Sequence, residues 1–187
     1  KGIEFMLEAM PEIIKADTSV LYIILGATHP SVLKHDGEEY RFSLQHKIKD
    51  LGIEDHVIFH NRFVNDLELH NFLCAADLYV TPYLNKAQLT SGTLAFAVGT
   101  GKAVVSTPYW AAEELLSDGR GKLIEFSKPE SLSKAVVEIL QNDSLFYKLR
   151  RKAYDYGRTM TWPLIGQKYW ELFKNFELSV KMPSRSL

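Results

Sequence analysis

The stretch that decides the fold is residues 76–107, ADLYVTPYLNKAQLTSGTLAFAVGTGKAVVST. Its pattern predicts a strand over 78–81 that Pro82 ends, because proline lacks the N–H group that a central strand needs. A polar loop follows, then a short apolar helix over 91–98 and a second strand over 103–106. Short apolar strands that alternate with helices are typical of a parallel sheet in an α/β protein.

Small hydroxyl residues and a glycine stand where the short helix begins: Ser91, Gly92 and Thr93. The start of a helix has unpaired backbone N–H groups and the positive end of the helix dipole, so this segment can bind an anion such as a diphosphate, with Gly92 allowing close approach. The alternative is a plain capped helix start. Tyr109 and Trp110 follow the second strand and are expected at the same ligand edge, where they stack on a ligand, line a cleft or pack onto the next helix.

Strands and helices alternate over the rest of the first two thirds of the chain. Apolar spacing and turn residues predict helices over 3–16, 38–51, 66–75 and 111–116, strands over 19–25, 56–60 and 122–126, and a loop over 26–37. Gly52 is expected to end the second of these helices and Asp66 to cap the third. The alternation predicts an α/β fold with a Rossmann-like, doubly wound parallel sheet that has helices on both faces.

The C-terminal third of the sequence has a different character and predicts helices alone. Apolar spacing places them over 131–141, 143–156 and 162–178. The aromatic residues of the last helix are expected in its core face: Trp162, Tyr169, Trp170, Phe173 and Phe176. We therefore expect one domain over 1–178 and a disordered tail over 179–187.

The 187-residue chain has an ordinary globular composition, 46% hydrophobic and 24% charged, with a net charge of −1. Because no basic stripe is present, the sequence offers no support for nucleic-acid binding. No apolar run is long enough to cross a bilayer and no secretory signal is visible, which favours a cytoplasmic protein. Cys74 is the single cysteine, so an internal disulfide is excluded, and its apolar surroundings predict a core position.

The histidine pattern does not predict a metal site. Of the six histidines, His56 and His60 are four residues apart, a spacing that suits a metal ion on a helix. They fall on a predicted strand, where four residues span roughly 13 Å, too far to share an ion. We therefore expect no bound metal.

The elements resemble, in their order, the C-terminal half of the retaining group 1 (family 4) glycosyltransferases of the GT-B fold. The resemblance extends over residues 1–175 and rests on LGIEDHVIF at 51–59, AADLYVTPYLN at 75–85, SGTLAFAVGTGKAVVSTP at 91–108 and AEELLSDGRGKLIEF at 112–126. It implies that this chain is the domain that binds a nucleotide sugar. An N-terminal Rossmann-like domain would face it across a cleft and supply most of the acceptor site. In the family the last helix often crosses back to that domain, so the resemblance also implies that part of the apolar face of this helix is exposed in this piece. Because the chain enters a helix with no strand before it, we also expect it to be a piece of a longer protein.

The resemblance implies contacts to the donor diphosphate at two places. Lys1, in the pair Lys1-Gly2, matches a lysine of the family that touches the diphosphate. Ser91, Gly92 and Thr93 match the phosphate-binding loop and helix start. The family's glycine in this loop falls on Ser91, so we expect the backbone path to differ slightly.

The resemblance also implies contacts to the base and the sugar of the donor. The base would lie against the turn after the second strand, at Phe63 and Val64, with Leu69 packing nearby; the alternative for these residues is core packing. The family's signature of two glutamates separated by seven residues falls on Gln88 and Phe96. Gln88 can still hydrogen-bond sugar hydroxyls through its amide, whereas Phe96 cannot bind ribose in this way and is expected in the core.

The resemblance predicts a hexosyltransferase that moves a sugar from a nucleotide-diphosphate sugar to a hydroxyl of a glycan or a lipid-linked sugar. Lys1 and Gln88 are the expected catalytic residues, and no metal or other cofactor is expected, because the lysine and the helix dipole carry the charge. We expect a cytoplasmic location, with peripheral membrane association of the full-length protein left open, and no turnover by this piece alone. Two alternatives stay open: a UDP-sugar epimerase-type enzyme of the same architecture, and a non-catalytic nucleotide-sugar-binding domain.

Overall fold

Strands alternate with helices along the first two thirds of the computed structural model, which describes residues 1–28 and 30–180. The helices are α1 (Ile3–Ala16), α2 (Pro30–Asp36), α3 (Glu39–Leu51), α4 (Asp66–Ala75), α5 (Gly92–Gly99), α6 (Trp110–Leu115), α7 (Pro129–Leu140), α8 (Asp143–Gly157) and α9 (Trp162–Val180). The strands are β1 (Tyr22–Leu25), β2 (Val57–His60), β3 (Leu78–Thr81), β4 (Ala103–Ser106) and β5 (Lys122–Leu123). Helix α2 lies in the segment predicted to be a loop, and it begins at Pro30, whose fixed φ suits the first helical position.

All strand pairs of the described residues are parallel, which confirms the α/β class with parallel strands. In one sheet β1 pairs with β2, with Tyr22 opposite Val57. In the other sheet β4 lies between β3 and β5, with Leu78 opposite Ala103. The single continuous sheet of the prediction is thus divided in two, because β1 and β3 do not exchange backbone hydrogen bonds. Strand β5 is shorter than predicted, since Ser127, with a left-handed φ of 53°, turns the chain towards α7.

Helices cover both faces of the three-stranded sheet, and the two sheets share one core on the first face. That core is formed by α1, α3, α7 and residues of both sheets: Leu7, Met10, Ile13, Leu44, Val57, Val105, Leu132 and Ile139. The second face of the three-stranded sheet is covered by α4, α5, α6 and α8, whose core residues include Leu73, Leu94, Val98, Ala112 and Ala153. Burial of these apolar side chains, about 25 cal/mol for each Å², holds both sheets against the shared core. On the other face of the β1–β2 pair, Ile23 and Ile58 are exposed.

Helix α4 has the predicted bounds, but its capping residue and the burial of Cys74 differ from the prediction. Its N-cap is Asn65 and not Asp66, since the Asn65 side chain accepts a hydrogen bond from the Glu68 N–H at 2.9 Å. The Glu68 carboxylate in turn accepts from the Asn65 N–H at 3.2 Å, which completes a capping box. Near the other end Leu73 faces the core and Cys74 is exposed, so the core position predicted for Cys74 is wrong.

The aromatic side chains of α9 are exposed, so their predicted place in the core of this chain is wrong, whereas the exposed apolar face that the resemblance implies is observed. Trp162 is 87% exposed and Trp170 68% exposed, and the same holds for Tyr169, Phe173 and Phe176. The reason is that α9 leaves the body of the molecule after a 3₁₀ turn, Arg158–Met160, and nearly all of its described side chains face solvent.

Helix α9 also changes the predicted C-terminal boundary. It continues to Val180, so the tail predicted over 179–187 starts as helix, and residues 181–187 lie outside the described residues. None of the helices in the described part of the chain has the length and apolar character that a membrane crossing requires.

Candidate functional site

The start of α5 is fixed against β3 at the carboxyl edge of the three-stranded sheet. The helix begins at Gly92, one residue later than predicted, and Ser91 is its N-cap: the Ser91 hydroxyl accepts a hydrogen bond from the Leu94 N–H at 3.4 Å, the capped start that the sequence left as the alternative. The Tyr79 hydroxyl of β3 donates to the Thr93 hydroxyl at 2.8 Å. Burial raises the pKa of the Tyr79 phenol, so this hydroxyl stays neutral and remains a donor. The N–H groups of the first turn are thereby held at the edge where parallel sheets bind ligands.

Gly92 leaves open space at the first residue of α5. Its φ is not in the left-handed region, and a Cβ placed on Gly92 would have no atom within 4 Å. The packing of the protein therefore does not require a glycine here. Gly92 and Thr93 are both exposed, so a ligand can reach the backbone of this turn.

Lys1 lies beside the residues that follow β3 and contacts Tyr83, a residue that no sequence motif singles out. Its ammonium is 3.1 Å from the Tyr83 hydroxyl and 4.2 Å from the centre of the Tyr83 ring. The two distances together place the ammonium above the hydroxyl end of the ring. Gly2 makes this approach possible, because it has a φ of 76° and contacts the carbonyl of Pro82. The sequence signal for Tyr83 is weak: an aromatic residue directly after the proline that ends a strand.

Tyr83 is held in place by the neighbouring strand β4 and the loop after it. The Thr107 hydroxyl donates to the Tyr83 carbonyl at 2.5 Å. The Tyr83 ring stacks on Tyr109, with ring centres 5.3 Å apart and planes inclined by 25°. Tyr109 is completely buried, and its hydroxyl is 3.4 Å from that of Thr81. Of the two aromatic residues expected at the ligand edge, Tyr109 is therefore a support and only Trp110 is accessible.

The loop between β3 and α5 runs along the start of α6. The Lys86 and Gln88 carbonyls accept hydrogen bonds from the N–H groups of Trp110 and Ala111, each at 3.1 Å. The Gln88 amide nitrogen donates to the Thr90 carbonyl at 3.0 Å, which restricts the side chain. Phe96, expected in the core, is instead 42% exposed.

The residues predicted to contact a base lie on the other sheet, after β2. Phe63 is 86% exposed, so the alternative of core packing does not hold for it, whereas Leu69 is half-buried against the second core. The turn is fixed by an ion pair of Arg62 with Glu68 at 2.6 Å. Together with the Asn65 N–H, Arg62 lowers the pKa of the Glu68 carboxyl. Phe63 and Val64 thus follow a strand of the two-stranded sheet, whereas Lys1 and the start of α5 lie beside the three-stranded sheet.

His56 and His60 have other partners in the structure. The His56 Nδ1 donates to the Val20 carbonyl at 2.8 Å, and the His60 ring lies 5.0 Å from that of Phe72. Within residues 1–28 and 30–180, no group of three or more His, Cys, Asp or Glu side chains is arranged to hold a metal ion. His29 lies outside the described residues.

Comparison with known proteins gives one family. A family model described as glycosyl transferases, group 1, matches residues 1–142 of this chain. A curated relative from Methanocaldococcus jannaschii, named as an uncharacterized glycosyltransferase, is 32% identical over 72 residues. Those residues make up 38% of this chain and 18% of the relative.

Solved structures share the fold. The C-terminal domain of a glycosyl transferase group 1 family protein (LpcC) from Francisella tularensis is similar with a TM-score of 0.71 at 21% identity, over 90% of this chain and 80% of that chain. The structure of HepE from Anabaena in complex with UDP and glucose is similar with a TM-score of 0.75 at 19% identity. That match covers 94% of this chain and 45% of the HepE chain, so this chain spans less than half of HepE.

Proposed function

The chain belongs to the group 1 glycosyl transferases, and from this premise we propose that it binds the nucleotide-diphosphate sugar in an enzyme that transfers a hexosyl group to a hydroxyl acceptor. One observation carries the proposal: the exposed first turn of α5 and the ammonium of Lys1 are both fixed to β3 and the residues directly after it. The UDP and glucose in the HepE structure support a UDP-sugar as donor.

The chemical role of this edge is to stabilise the leaving diphosphate. When the bond from the sugar to the diphosphate breaks, negative charge develops on the departing oxygen. The N–H groups of Gly92 and Thr93, the dipole of α5 and the Lys1 ammonium oppose that charge. The Ser91 hydroxyl accepts a hydrogen bond from the Leu94 N–H, so this side chain stabilises the start of the helix. The backbone of Ser91 leads into the turn that faces the diphosphate. A metal ion is not needed for this step, because the chain supplies the positive charge.

The donor sugar and base have separate candidate contacts. Gln88 orients the sugar: its amide nitrogen is bonded to the Thr90 carbonyl, so its amide oxygen is the atom offered to a hydroxyl. Phe63 and Val64 contact the base from the turn after β2, where the exposed ring of Phe63 can stack on it. Leu69 supports this turn by packing α4 against the core.

The acceptor belongs to the part of the protein outside this chain. We assign it to a glycan or lipid-linked sugar that is bound mainly by an N-terminal Rossmann-like domain of the GT-B type. Retention of the anomeric configuration and a cytoplasmic location, with peripheral membrane association, are parts of the same proposal.

A second candidate function is a binding domain that has lost catalysis. Phe96 favours it, because a phenyl ring at one of the family's two glutamate positions cannot hydrogen-bond a ribose. An epimerase-type enzyme has less support, since the matching family is one of glycosyl transferases. Nucleotide-sugar binding without turnover in the full-length protein would identify the binding domain.

The proposal is tested by calorimetric titration of the chain with UDP, GDP and ADP, alongside Gly92→Val. We expect one nucleoside diphosphate to bind, with the base identified by which one does. We expect Gly92→Val to lose that binding, because the added side chain occupies the open space at the first turn of α5. Absence of binding by all three nucleotides would contradict the proposal.

The matched control is Gly99→Val, at the other end of the same helix. A Cβ on Gly99 also has no atom within 4 Å, so the two variants add the same side chain to open space. We expect Gly99→Val to keep the affinity of the unmodified chain. Equal loss in both variants would mean that a valine in α5 disturbs the helix and that the first turn is not the binding site.

A further inference from the structure

Lys1 has an aromatic partner and no acidic one. Its ammonium lies over the hydroxyl end of the Tyr83 ring, and none of the ion pairs among the described residues involves Lys1. A carboxylate partner would neutralise the lysine and would have to be displaced by an anion. A phenol ring holds the ammonium through cation–π attraction and a hydrogen bond while leaving its charge available.

The support under Lys1 reaches back into the core. Tyr83 stacks on the fully buried Tyr109, and its carbonyl is bonded to the Thr107 hydroxyl. On the other side of Lys1, the backbone of Gly2 packs on the Pro82 carbonyl. The lysine side chain is long and flexible, so it gains most from a support of this kind before a ligand arrives.

We propose that Tyr83 is a positioning residue that holds the Lys1 ammonium at the carboxyl edge of β3, ready for the donor diphosphate. The inference rests on the proposed function, because it assigns the diphosphate to Lys1. Tyr83 acts through Lys1 and does not itself bind the phosphates. Its ring supplies the surface and its hydroxyl fixes the ammonium at one end of that surface.

The test compares UDP with uridine in five forms of the chain: unmodified, Lys1→Met, Tyr83→Phe, Tyr83→Leu and the double variant Lys1→Met/Tyr83→Leu. We expect Tyr83→Leu to weaken UDP binding by about threefold to tenfold, the usual effect of freeing one long side chain, and to leave uridine binding unchanged. Tyr83→Phe keeps the ring and should recover part of the affinity. In the Lys1→Met background, Tyr83→Leu should have no further effect, because Tyr83 acts through Lys1.

A second measurement examines the contact without any nucleotide. The ring of Tyr83 should shift the proton resonances of the Lys1 side chain in an NMR spectrum, and Tyr83→Leu should abolish that shift while Tyr83→Phe retains most of it. Circular dichroism of each variant shows that the fold is kept. Because Phe can stack on Tyr109 as Tyr does, Tyr83→Phe remains informative if Tyr83→Leu fails to fold.

Four results would overturn the inference. Unchanged UDP binding in Tyr83→Leu would remove the role of Tyr83 and leave the proposed function intact. An equal loss for UDP and uridine, or a further loss in the Lys1→Met background, would mean that Tyr83 only maintains the local structure. If the unmodified chain binds no nucleoside diphosphate, the proposed function itself fails and the inference fails with it.

Discussion

Gly2 packs on Pro82 so closely that a Cβ placed on Gly2 would be 1.9 Å from the Pro82 carbonyl oxygen. Gly2 also has a left-handed φ of 76° and is the N-cap of α1. The first helix therefore starts directly against the end of β3, and this contact sets where Lys1 lies. The contact explains physically why a glycine follows the lysine.

Gly2→Ala should lower the free energy of unfolding by about 2 kcal/mol or more, since a left-handed alanine costs about 1–2 kcal/mol before the clash with Pro82 is added. Urea unfolding followed by circular dichroism measures the change. The matched control is Gly166→Ala in α9, where a Cβ meets nothing within 4 Å and alanine favours the helix. A Gly2→Ala chain as stable as the unmodified one would contradict the contact.

Lys102→Met should lower the free energy of unfolding by about 1–3 kcal/mol, because it leaves two partly buried carbonyl groups without their donor. The Lys102 side chain is only 2% exposed, and its ammonium donates to the Cys74 carbonyl at 3.0 Å and the Ala76 carbonyl at 2.8 Å. It thereby satisfies carbonyls at the end of α4. Thermal unfolding of Lys102→Met is compared with Lys134→Met, which alters an exposed lysine of α7. An equal loss of stability in Lys102→Met and Lys134→Met would show that the hydrogen bonds of the buried Lys102 ammonium do not stabilise the fold.

Glu68→Gln should remove a pH-dependent part of the stability. The Arg62 guanidinium, followed by the Asn65 N–H, lowers the pKa of the Glu68 carboxyl from its ordinary value of 4.5. The ionised carboxylate therefore stabilises the fold above that value, and this stabilisation is lost as the pH falls through the lower pKa of the folded state. We expect the free energy of unfolding of Glu68→Gln to lie below that of the unmodified chain at pH 7, and the difference to shrink towards about pH 3. Urea unfolding between about pH 3 and pH 7 measures this difference.

Arg62→Met provides the internal comparison for Glu68, because it removes the group with the largest effect on that pKa. In a chain that already carries Arg62→Met, Glu68→Gln should change the pH dependence of the free energy of unfolding less than it does in the unmodified chain. If the difference in free energy of unfolding between Glu68→Gln and the unmodified chain stays constant from pH 7 to about pH 3, ionisation of Glu68 is not linked to stability.

Trp170→Ala should change the free energy of unfolding by no more than about 0.5 kcal/mol, as substitutions on exposed surface usually do. Trp170 is 68% exposed on α9. Leu132→Ala, in the first core and 1% exposed, is the contrasting variant and should cost about 2–5 kcal/mol. Both are measured by urea unfolding of the chain alone. A large loss for Trp170→Ala would mean that α9 packs against the body of the molecule.

Local sequence determined the elements around the candidate site. The strands over 78–81 and 103–106 are observed with the predicted bounds, because proline, glycine and short apolar runs act within a few residues. The cap at Ser91 and the end of α3 at Gly52, with its φ of 63°, follow from the same short-range chemistry.

Only the tertiary structure decided which of these residues meet. Lys1 and Tyr83 are 82 positions apart, and no periodicity relates them. Local pattern likewise did not predict four other features of the structure. These are the burial of Tyr109, the exposure of Phe96 and Cys74, the absence of pairing between β1 and β3, and the exposed aromatic residues of α9. Helical or strand periodicity indicates that one face of an element is apolar. Whether another element covers that face depends on how the elements pack together in the folded chain.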